Sequence, residues 1–395
     1  MSGKVGIEVS LAIAEAAKMA RVDVVSAYPI TPQTHIVEHL AELVADGELD
    51  ANYITVESEH SAMSACIGAS AAGARVFTST SGQGLELMHE IVFIASSMRF
   101  PIVMVTANRA LSSPLNIWND HSDVMACRDS GWIMLFCVNG QEALDSVILA
   151  FKIAEDRRVL LPVMVNVDGF ILTHVVEPIE FPEQETVDKF LPPYEPAYTL
   201  HPARPVTMGA FAMPEIYTEC KFAQETALQN SKPVIDEILT DFGKTFGRDY
   251  RTVETYNTDG AEVIFIALGS TTGNIRTAID ELGRQGKKAG LINLRLFRPF
   301  PAEELLAVLS TAKRVAVIER VMPGGAVNSP LYNEVASLAY RAGLQLPLTN
   351  YVVALGGRDV VPERFIEMYD EMTGSAGSSM KIVAGRNIKV VGVRE

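Results

Sequence analysis

The chain has 395 residues, a formal net charge of −15 at pH 7 and a pI of about 5.0. This length predicts two or three domains, and 48% hydrophobic against 21% charged residues supplies a large core. The acidic balance argues against a nucleic-acid surface, which needs clustered Lys and Arg. No apolar run reaches transmembrane length and no apolar signal core begins the chain. We therefore expect a cytoplasmic protein that binds neither nucleic acid nor membrane.

The N-terminal pattern predicts a helix over 2–20, a strand over 23–26 and a second helix over 35–45. Between the strand and the second helix stands Tyr28-Pro29-Ile30-Thr31-Pro32. The two prolines fix φ and keep the residues between them extended, so the Thr31 hydroxyl can face a ligand. Pro32 also suits the first turn of the following helix, and the two interpretations are compatible.

The segment 53–98 predicts strand, helix, strand and helix. A short buried strand over 53–56 is followed by Glu57, Glu59 and a helix of small residues through Gly73. A strand over 74–80, a glycine turn over 81–84 and a helix over 85–98 complete the unit. Glu59 is either an ordinary acid beside a helix N-terminus or a carboxylate enclosed by small residues and suited to proton chemistry.

The strand predicted over 101–107 ends at Asn108 and Arg109, and the next dozen residues have no helical pattern. Loops of that length in compact domains are usually functional. Arg109 at a strand end either clamps an anion or forms an ion pair with Asp120 or Asp123. His121 has no second histidine at ligand spacing, so the loop predicts no metal site.

Four cysteines stand at scattered positions without a C-x-x-C pair, namely Cys66, Cys127, Cys137 and Cys220. Their apolar or helical surroundings predict buried, reduced thiols rather than disulfides or metal ligands. A four-iron cluster commonly uses grouped thiolates, so none is expected in this chain.

An amphipathic helix over 141–155 and a buried strand over 160–167 complete a doubly wound α/β domain of about five or six strands. A proline-rich and acid-rich strap over 177–214 and a helix over 214–246 lead to a second, smaller α/β unit. The turn at 269–273 lacks the lysine of a P-loop and predicts a plain strand-to-helix connection. The expected domains are 1–255, with the strap beginning at about 177, then 256–372, then a flexible tail or arm over 373–395.

Six motifs, in order and spacing over about residues 1–370, resemble the alpha subunits of multi-subunit pyruvate:ferredoxin oxidoreductases, a class of 2-oxoacid:ferredoxin oxidoreductase. They are Ala27-Tyr28-Pro29-Ile30-Thr31-Pro32, Val56-Glu57-Ser58-Glu59-His60-Ser61-Ala62, Asn108-Arg109-Ala110-Leu111 with Asn116-Ile117-Trp118-Asn119-Asp120, Arg128-Asp129-Ser130-Gly131-Trp132, Phe297-Arg298-Pro299-Phe300-Pro301 and Gly356-Gly357-Arg358-Asp359.

The resemblance implies a pyrimidine-type thiamine-diphosphate-binding domain followed by a domain like the C-terminal domain of transketolase. Thiamine diphosphate would be shared with a beta subunit that holds Mg²⁺, and [4Fe-4S] clusters would belong to partner subunits. The implied partners are beta, gamma and delta-type subunits, ferredoxin, coenzyme A and a 2-oxoacid. The Gly-Asp-Gly pattern with a following Asn, by which the family binds magnesium and diphosphate, is absent from this sequence.

The resemblance also implies roles for individual residues. Glu59 matches the glutamate that hydrogen-bonds N1′ of the aminopyrimidine. Thr31 and Arg109 match positions that hold the substrate carboxylate, and Tyr28, Pro29 and Ile30 lie on the cofactor-facing turn. Pyruvate ranks first as substrate and 2-oxoisovalerate second. A non-catalytic nucleotide-binding or assembly subunit stays open as a different class of function.

Overall fold

The computed structural model describes residues 3–377 and 380–394. Helices and strands alternate through the N-terminal part of the chain as the apolar runs predict. In order they are β1 (Val5–Glu8), α1 (Val9–Met19), β2 (Val24–Ser26), α2 (Thr34–Ala45), β3 (Asn52–Ile54), α3 (Glu59–Ala72), β4 (Val76–Thr80), α4 (Gly82–Leu87), α5 (His89–Ser97), β5 (Val103–Asn108), α6 (Ser122–Ala126), β6 (Ile133–Phe136), α7 (Gly140–Glu155), β7 (Val163–Asp168), β8 (Val176–Ile179), α8 (Gln184–Phe190) and α9 (Pro214–Phe246).

The C-terminal part repeats the alternation. Its elements are β9 (Val253–Tyr256), β10 (Val263–Ala267), α10 (Thr271–Arg284), β11 (Ala289–Leu294), β12 (Leu296–Arg298), α11 (Ala302–Leu309), β13 (Val315–Glu319), α12 (Pro330–Arg341), β14 (Leu348–Val352), a short 3₁₀ turn (Leu355–Gly357), α13 (Pro362–Thr373), β15 (Lys381–Ile382) and β16 (Ile388–Val390). The helix predicted over 214–246 has those same bounds.

The first sheet has seven strands in the order β12-β6-β7-β5-β4-β2-β3. All neighbours run parallel except β12, which pairs antiparallel with β6 and places Leu296 opposite Leu135. Strand β12 comes from the C-terminal part of the chain, so the two α/β units share a sheet edge. The parallel strands bring the ends of β2, β4, β5 and β7 to one edge, where open α/β sheets bind ligands.

The second sheet also has seven strands, in the order β15-β16-β14-β13-β10-β11-β9. Its five central strands are parallel, and the outer strands β9 and β15 are antiparallel to their neighbours. Residues 373–395 were expected to form a flexible tail or arm. Within them, strands β15 and β16 form a hairpin, and Ile388 is fully buried. The glycine- and serine-rich tail begins at Gly374, and its residues 378 and 379 lie outside the described residues.

Helix α7 is buried on all sides, so the expectation of an amphipathic helix is wrong. Helices α1 and α9 and the first sheet pack around it. Its polar residues point into the core because they have partners there. Glu142 binds the guanidinium of Arg295, and Asp145 binds Arg248 and the hydroxyl of Tyr250. Arg295 comes from the second α/β unit, so its pair with Glu142 also ties the two units together.

Several local expectations are corrected by strand pairing. The helix expected over 2–20 begins at Val9, because residues 5–8 form β1 and pair antiparallel with β8; Met1 and Ser2 lie outside the described residues. The strand expected to be buried at 53–56 is the edge strand β3, and its Ile54 is 36% exposed. The expected strap contains two packed elements, β8 and α8, before its irregular part.

Strands β6, β9 and β12 were not expected. No helix in the described part of the chain is both long and apolar enough to cross a bilayer.

Candidate active site

Glu59 is buried at the first position of α3, at the edge where the parallel strands end. The side chain of Ser58 caps the helix by accepting from the backbone N–H of Ser61 at 3.2 Å. The side chain of Glu59 is 5% exposed, and no group in the described ranges hydrogen-bonds its carboxylate. An acid that only favoured the helix dipole would be expected to face water. The structure therefore holds a carboxylate away from solvent and leaves it available to a ligand.

Gly84 is the residue that admits this carboxylate. A Cβ at this position would lie 2.5 Å from Glu59 Oε1 and 2.7 Å from Thr80 Oγ1, distances that no real side chain tolerates. The expected glycine turn at 81–84 is the first turn of α4, so its backbone passes directly beside Glu59. The sequence predicts only a turn at Gly84, because residue spacing does not reveal which neighbouring group occupies the space that a side chain would fill.

The turn of Tyr28, Pro29, Ile30 and Thr31 lies at the same edge and is exposed or half-exposed. Buried Gln33 holds this turn in place. Its amide Nε2 donates to the carbonyl oxygen of Tyr28 at 2.9 Å and to the carbonyl oxygen of Ser79 at 3.0 Å. The turn is therefore tied to β4 while its outer face stays open. Nothing in the sequence pattern singled out Gln33.

Arg109 lies beside Thr31. Its guanidinium donates from Nη1 to the Thr31 carbonyl oxygen at 3.0 Å and from Nε to the Asn116 carbonyl oxygen at 2.9 Å. The side chain is 7% exposed, and burial lowers the pKa of the guanidinium from its ordinary value. A bound anion would offset that loss of hydration. In the described residues neither Asp120 nor Asp123 makes a direct salt bridge with the guanidinium, since Asp123 accepts from the backbone N–H of Arg109 and Asp120 accepts from that of Ser122.

Asp168, at the end of β7, joins the loop after Arg109 to the second α/β unit. Its Oδ1 accepts from Asn119 Nδ2 at 2.9 Å and lies 2.8 Å from His121 Nε2. Its Oδ2 accepts from Arg320 Nη1 at 2.7 Å and from the backbone N–H of Ser270 at 2.9 Å. Burial alone would raise the pKa of Asp168, but Arg320 and His121 more than offset this and hold the pKa well below its ordinary value. The backbone N–H of His121 also donates to the Arg320 carbonyl oxygen at 2.7 Å, so His121 contacts both units.

A glycine pair of the second unit grips the same loop. Asn116 Nδ2 donates to the Gly356 carbonyl oxygen at 3.1 Å, and the backbone N–H of Gly357 donates to the Asn119 carbonyl oxygen at 2.6 Å. Both glycines have positive φ, and a Cβ at Gly357 would lie 2.3 Å from Trp118 Cβ. The Asn116 carbonyl oxygen in turn receives Arg109 Nε. Arg109 is therefore positioned from the second unit through one intermediate residue.

The cysteines are all free, and Cys66, Cys127 and Cys137 are buried as expected. Cys220 is exposed, as are its neighbours over 213–223, so the expectation of burial is wrong for it. Within the described ranges, Glu86, His89 and Cys127 offer ligand atoms that lie within 4.8 Å of one another. Acidic groups at a protein surface commonly gather in this way without an ion, so the group alone supports no metal assignment.

Two family models match the chain. One is described as the thiamine-diphosphate-binding domain of pyruvate flavodoxin/ferredoxin oxidoreductase and matches residues 15–239. The other is described as core domain II of pyruvate:ferredoxin oxidoreductase and matches residues 261–365. The two matches follow the two α/β units and confirm the fold class predicted from the sequence.

Curated relatives match along most of their length. The chain is 50% identical to the pyruvate synthase subunit PorA of Methanothermobacter thermautotrophicus, over 92% of this chain and 93% of the relative. It is 50% identical to PorA of Thermotoga maritima, over 93% and 94%, and 46% identical to the ketoisovalerate oxidoreductase subunit VorA of Pyrococcus horikoshii, over 88% and 88%. A solved 2-oxoglutarate:ferredoxin oxidoreductase from Magnetococcus marinus has a similar fold, with a TM-score of 0.71 at 22% identity, over 94% of this chain and 65% of that chain.

Replacing Asp168 by Asn should destabilise the protein by about 3–5 kcal/mol, because Arg320 would lose its buried partner. The matched control is Asp188→Asn, which removes a surface partner of Arg21 and should cost about 0–1 kcal/mol. Denaturant unfolding of the full chain measures both. Because the folded pKa of Asp168 is lowered, its stabilisation is present above the unfolded pKa of about 3.9 and should fade as the pH falls below it. Equal costs for the two variants at pH 7 would contradict this account.

Proposed function

Because the chain belongs to the pyruvate flavodoxin/ferredoxin oxidoreductase family, we propose that it is the alpha subunit of a cytoplasmic pyruvate:ferredoxin oxidoreductase. The enzyme converts pyruvate and coenzyme A to acetyl-CoA and CO₂ with reduction of ferredoxin, and in reverse it acts as a pyruvate synthase. The observation that carries the proposal is the buried, unpaired carboxylate of Glu59 beside Gly84, within the part of the chain that matches the thiamine-binding family model.

The residues around Glu59 fit the aminopyrimidine half of thiamine diphosphate. The carboxylate has no protein donor in the described ranges, and the glycine backbone beside it leaves room for the carboxylate itself. When bound, the cofactor supplies the carbanion chemistry of 2-oxoacid cleavage. Glu59 would share a proton with N1′ of the aminopyrimidine, and its burial would keep that proton from exchanging with bulk water. The exposed turn that contains Tyr28, Pro29 and Ile30 would lie against the cofactor.

Arg109 and Thr31 would hold the carboxylate of the substrate. Arg109 uses Nε and Nη1 for the Asn116 and Thr31 carbonyl oxygens, and no partner for Nη2 lies among the described residues. The guanidinium is therefore held in place while one nitrogen remains free for a charge-assisted hydrogen bond. The Thr31 side chain is exposed next to it and offers a hydroxyl.

Pyruvate is favoured over 2-oxoisovalerate as the substrate. PorA relatives reach 53% identity, whereas the VorA relative is 46% identical, and the loop after Arg109 carries the motif that resembles pyruvate-type subunits. Initial rates of the assembled enzyme with pyruvate, 2-oxoisovalerate and 2-oxoglutarate test the assignment. A non-catalytic assembly subunit would need neither a buried free carboxylate at 59 nor a held cation at 109.

The remaining parts of the reaction are assigned to partner chains. Three cysteines are buried at separate places and the fourth is exposed, so this chain does not present the grouped thiolates of a [4Fe-4S] cluster. Mg²⁺ and the diphosphate would be bound by a beta subunit, which would complete the open side of the Tyr28 turn. Gamma and delta-type subunits would carry the clusters that pass electrons to ferredoxin.

Glu59→Gln should lower kcat of the assembled enzyme by about 10² or more, because an amide cannot share a proton with the cofactor. Cofactor affinity should change little. The matched control is Glu57→Gln, two residues earlier and exposed, which should keep wild-type kinetics. Steady-state rates with pyruvate measure both variants. Activity of the Glu59 variant within twofold of wild type would refute the proposed role.

Arg109→Ala should raise KM for pyruvate by about 10- to 150-fold, since a charge-assisted hydrogen bond contributes about 1.5–3 kcal/mol. Arg109→Lys keeps the positive charge but loses the planar fork, so an intermediate KM is expected. Thermal unfolding should accompany the kinetics, because Arg109 also holds the Thr31 and Asn116 carbonyl oxygens. An unchanged KM in a folded Arg109→Ala enzyme would remove Arg109 from the substrate site.

The chain expressed by itself should contain no stoichiometric iron, bind thiamine diphosphate weakly and release no CO₂ from pyruvate. Adding the beta subunit should restore decarboxylation, and the cluster-bearing subunits should restore ferredoxin reduction. Iron analysis and a CO₂-release assay at saturating cofactor make the measurement. Substantial turnover by the isolated chain would overturn the shared-site model.

A further inference from the structure

Asp123 lies behind the two groups proposed for catalysis. It is fully buried in the first turn of α6. Its Oδ2 accepts from the backbone N–H of Gly82 at 3.0 Å and from the backbone N–H of Arg109 at 2.9 Å. Its Oδ1 accepts from the backbone N–H of Val124 at 2.7 Å and lies 3.4 Å from Asn108 Nδ2. Burial raises the pKa of Asp123 to about 7 despite these backbone donors.

The two donors on Oδ2 belong to the two sides of the proposed site. Gly82 begins α4, whose Gly84 backbone passes beside the carboxylate of Glu59. Arg109 begins the loop that carries the proposed substrate clamp. Gly82 and Arg109 also touch, because a Cβ at Gly82 would lie 3.0 Å from Arg109 Cδ. One carboxylate oxygen therefore joins the strand β4 side of the site to the strand β5 side.

A buried carboxylate without an ion-pair partner is costly, and among the described residues no cation forms a salt bridge with Asp123. An asparagine could not replace it. If the asparagine oxygen faced the Gly82 and Arg109 N–H groups, its NH₂ group would face the donors at Val124 and Asn108, and two donors cannot bond each other. In the flipped orientation, the NH₂ group would face the Gly82 and Arg109 donors instead. The two oxygens of the Asp123 carboxylate can face all four of these donors, whereas an asparagine has only one oxygen that can accept.

We propose that Asp123 is a positioning residue that sets the spacing between Glu59 and Arg109. In this role Asp123 contacts neither cofactor nor substrate. It holds the backbone at the start of α4 and the backbone of the Arg109 loop at a fixed distance from each other. The inference rests on the proposed function, because it assigns to Asp123 the alignment of groups whose roles are proposed there. Misplacement of reacting groups by about 1 Å can lower rates by about 10².

A double-mutant cycle in the assembled enzyme tests this. Asp123→Asn should lower kcat with pyruvate by about 10- to 100-fold. In the Glu59→Gln background the same substitution should have less than a threefold further effect, because no aligned acid remains to be misplaced. A residue that merely supports folding would lower activity by the same factor in both backgrounds. The matched control is Asp129→Asn, an exposed acid six residues later that should leave kinetics unchanged.

The outcomes separate the two proposals. Full activity of Glu59→Gln would sink the proposed function itself. A crippled Glu59→Gln enzyme together with an additive Asp123→Asn effect, or no Asp123→Asn effect, would overturn the positioning role alone. Asp123→Glu, which keeps the charge but moves it by one methylene, should show the same non-additivity. If neither Asp123 variant assembles into a folded complex, Asp123 belongs to folding and the positioning proposal fails.

Discussion

The buried charge of Asp168 is the constraint on which the rest of the site depends. A carboxylate with 1% exposure is stable only if its oxygens are satisfied, and here the donors come from three separate stretches of chain. Asn119 and His121 belong to the loop after Arg109, Ser270 begins α10, and Arg320 follows β13. Satisfying one charge therefore brings the irregular loop and both α/β units together.

The consequence is that the second unit takes part in building a site that lies on the first. The loop between β5 and α6 has no helix or strand of its own and would be mobile in isolation. Asp168 holds its far end, and the Gly356–Gly357 backbone holds its middle through Asn116 and Asn119. The second unit therefore helps to hold the carbonyl oxygen of Asn116 against the guanidinium of Arg109.

The two main site residues are prepared in opposite ways. Glu59 is buried beside the Gly84 backbone, and its carboxylate is left without a partner in the described chain. Arg109 is restrained by two carbonyl oxygens, so its direction is fixed before any anion arrives. A buried acid without a partner and a guanidinium held in one direction are what the proposed cofactor and substrate contacts require. Such preorganisation is the main contribution a protein can add to chemistry that a cofactor supplies.

Much of this could be predicted from the sequence. Apolar runs located most strands, and helix α9 was bounded correctly by its periodicity. The family resemblance implied that Thr31 and Arg109 hold one carboxylate, and the structure places the two residues side by side. The motif resemblance identified the family before any contact was known.

The rest depends on partners remote in the chain. Strand β1 needs β8, about 170 residues later, and without that pairing its residues look helical. In the sequence, helix α7 looks amphipathic because it contains polar residues such as Asp145. Asp145 is nevertheless buried, because it binds Arg248, a partner that no local pattern reveals. The roles of Gly84 and Gln33 are equally hidden, since Gly84 acts through the absence of a side chain and Gln33 binds carbonyl oxygens of the Tyr28 turn and of strand β4.

The central claim is that Glu59 and Arg109 face one shared site that a partner chain completes. A cryo-EM structure of the assembled complex with thiamine diphosphate and a non-reactive 2-oxoacid analogue tests it most directly. The account predicts a Glu59 carboxylate oxygen within about 2.6–3.2 Å of the aminopyrimidine N1′, and the analogue's carboxylate on the guanidinium of Arg109. A cofactor bound elsewhere, with Glu59 facing only protein, would contradict it.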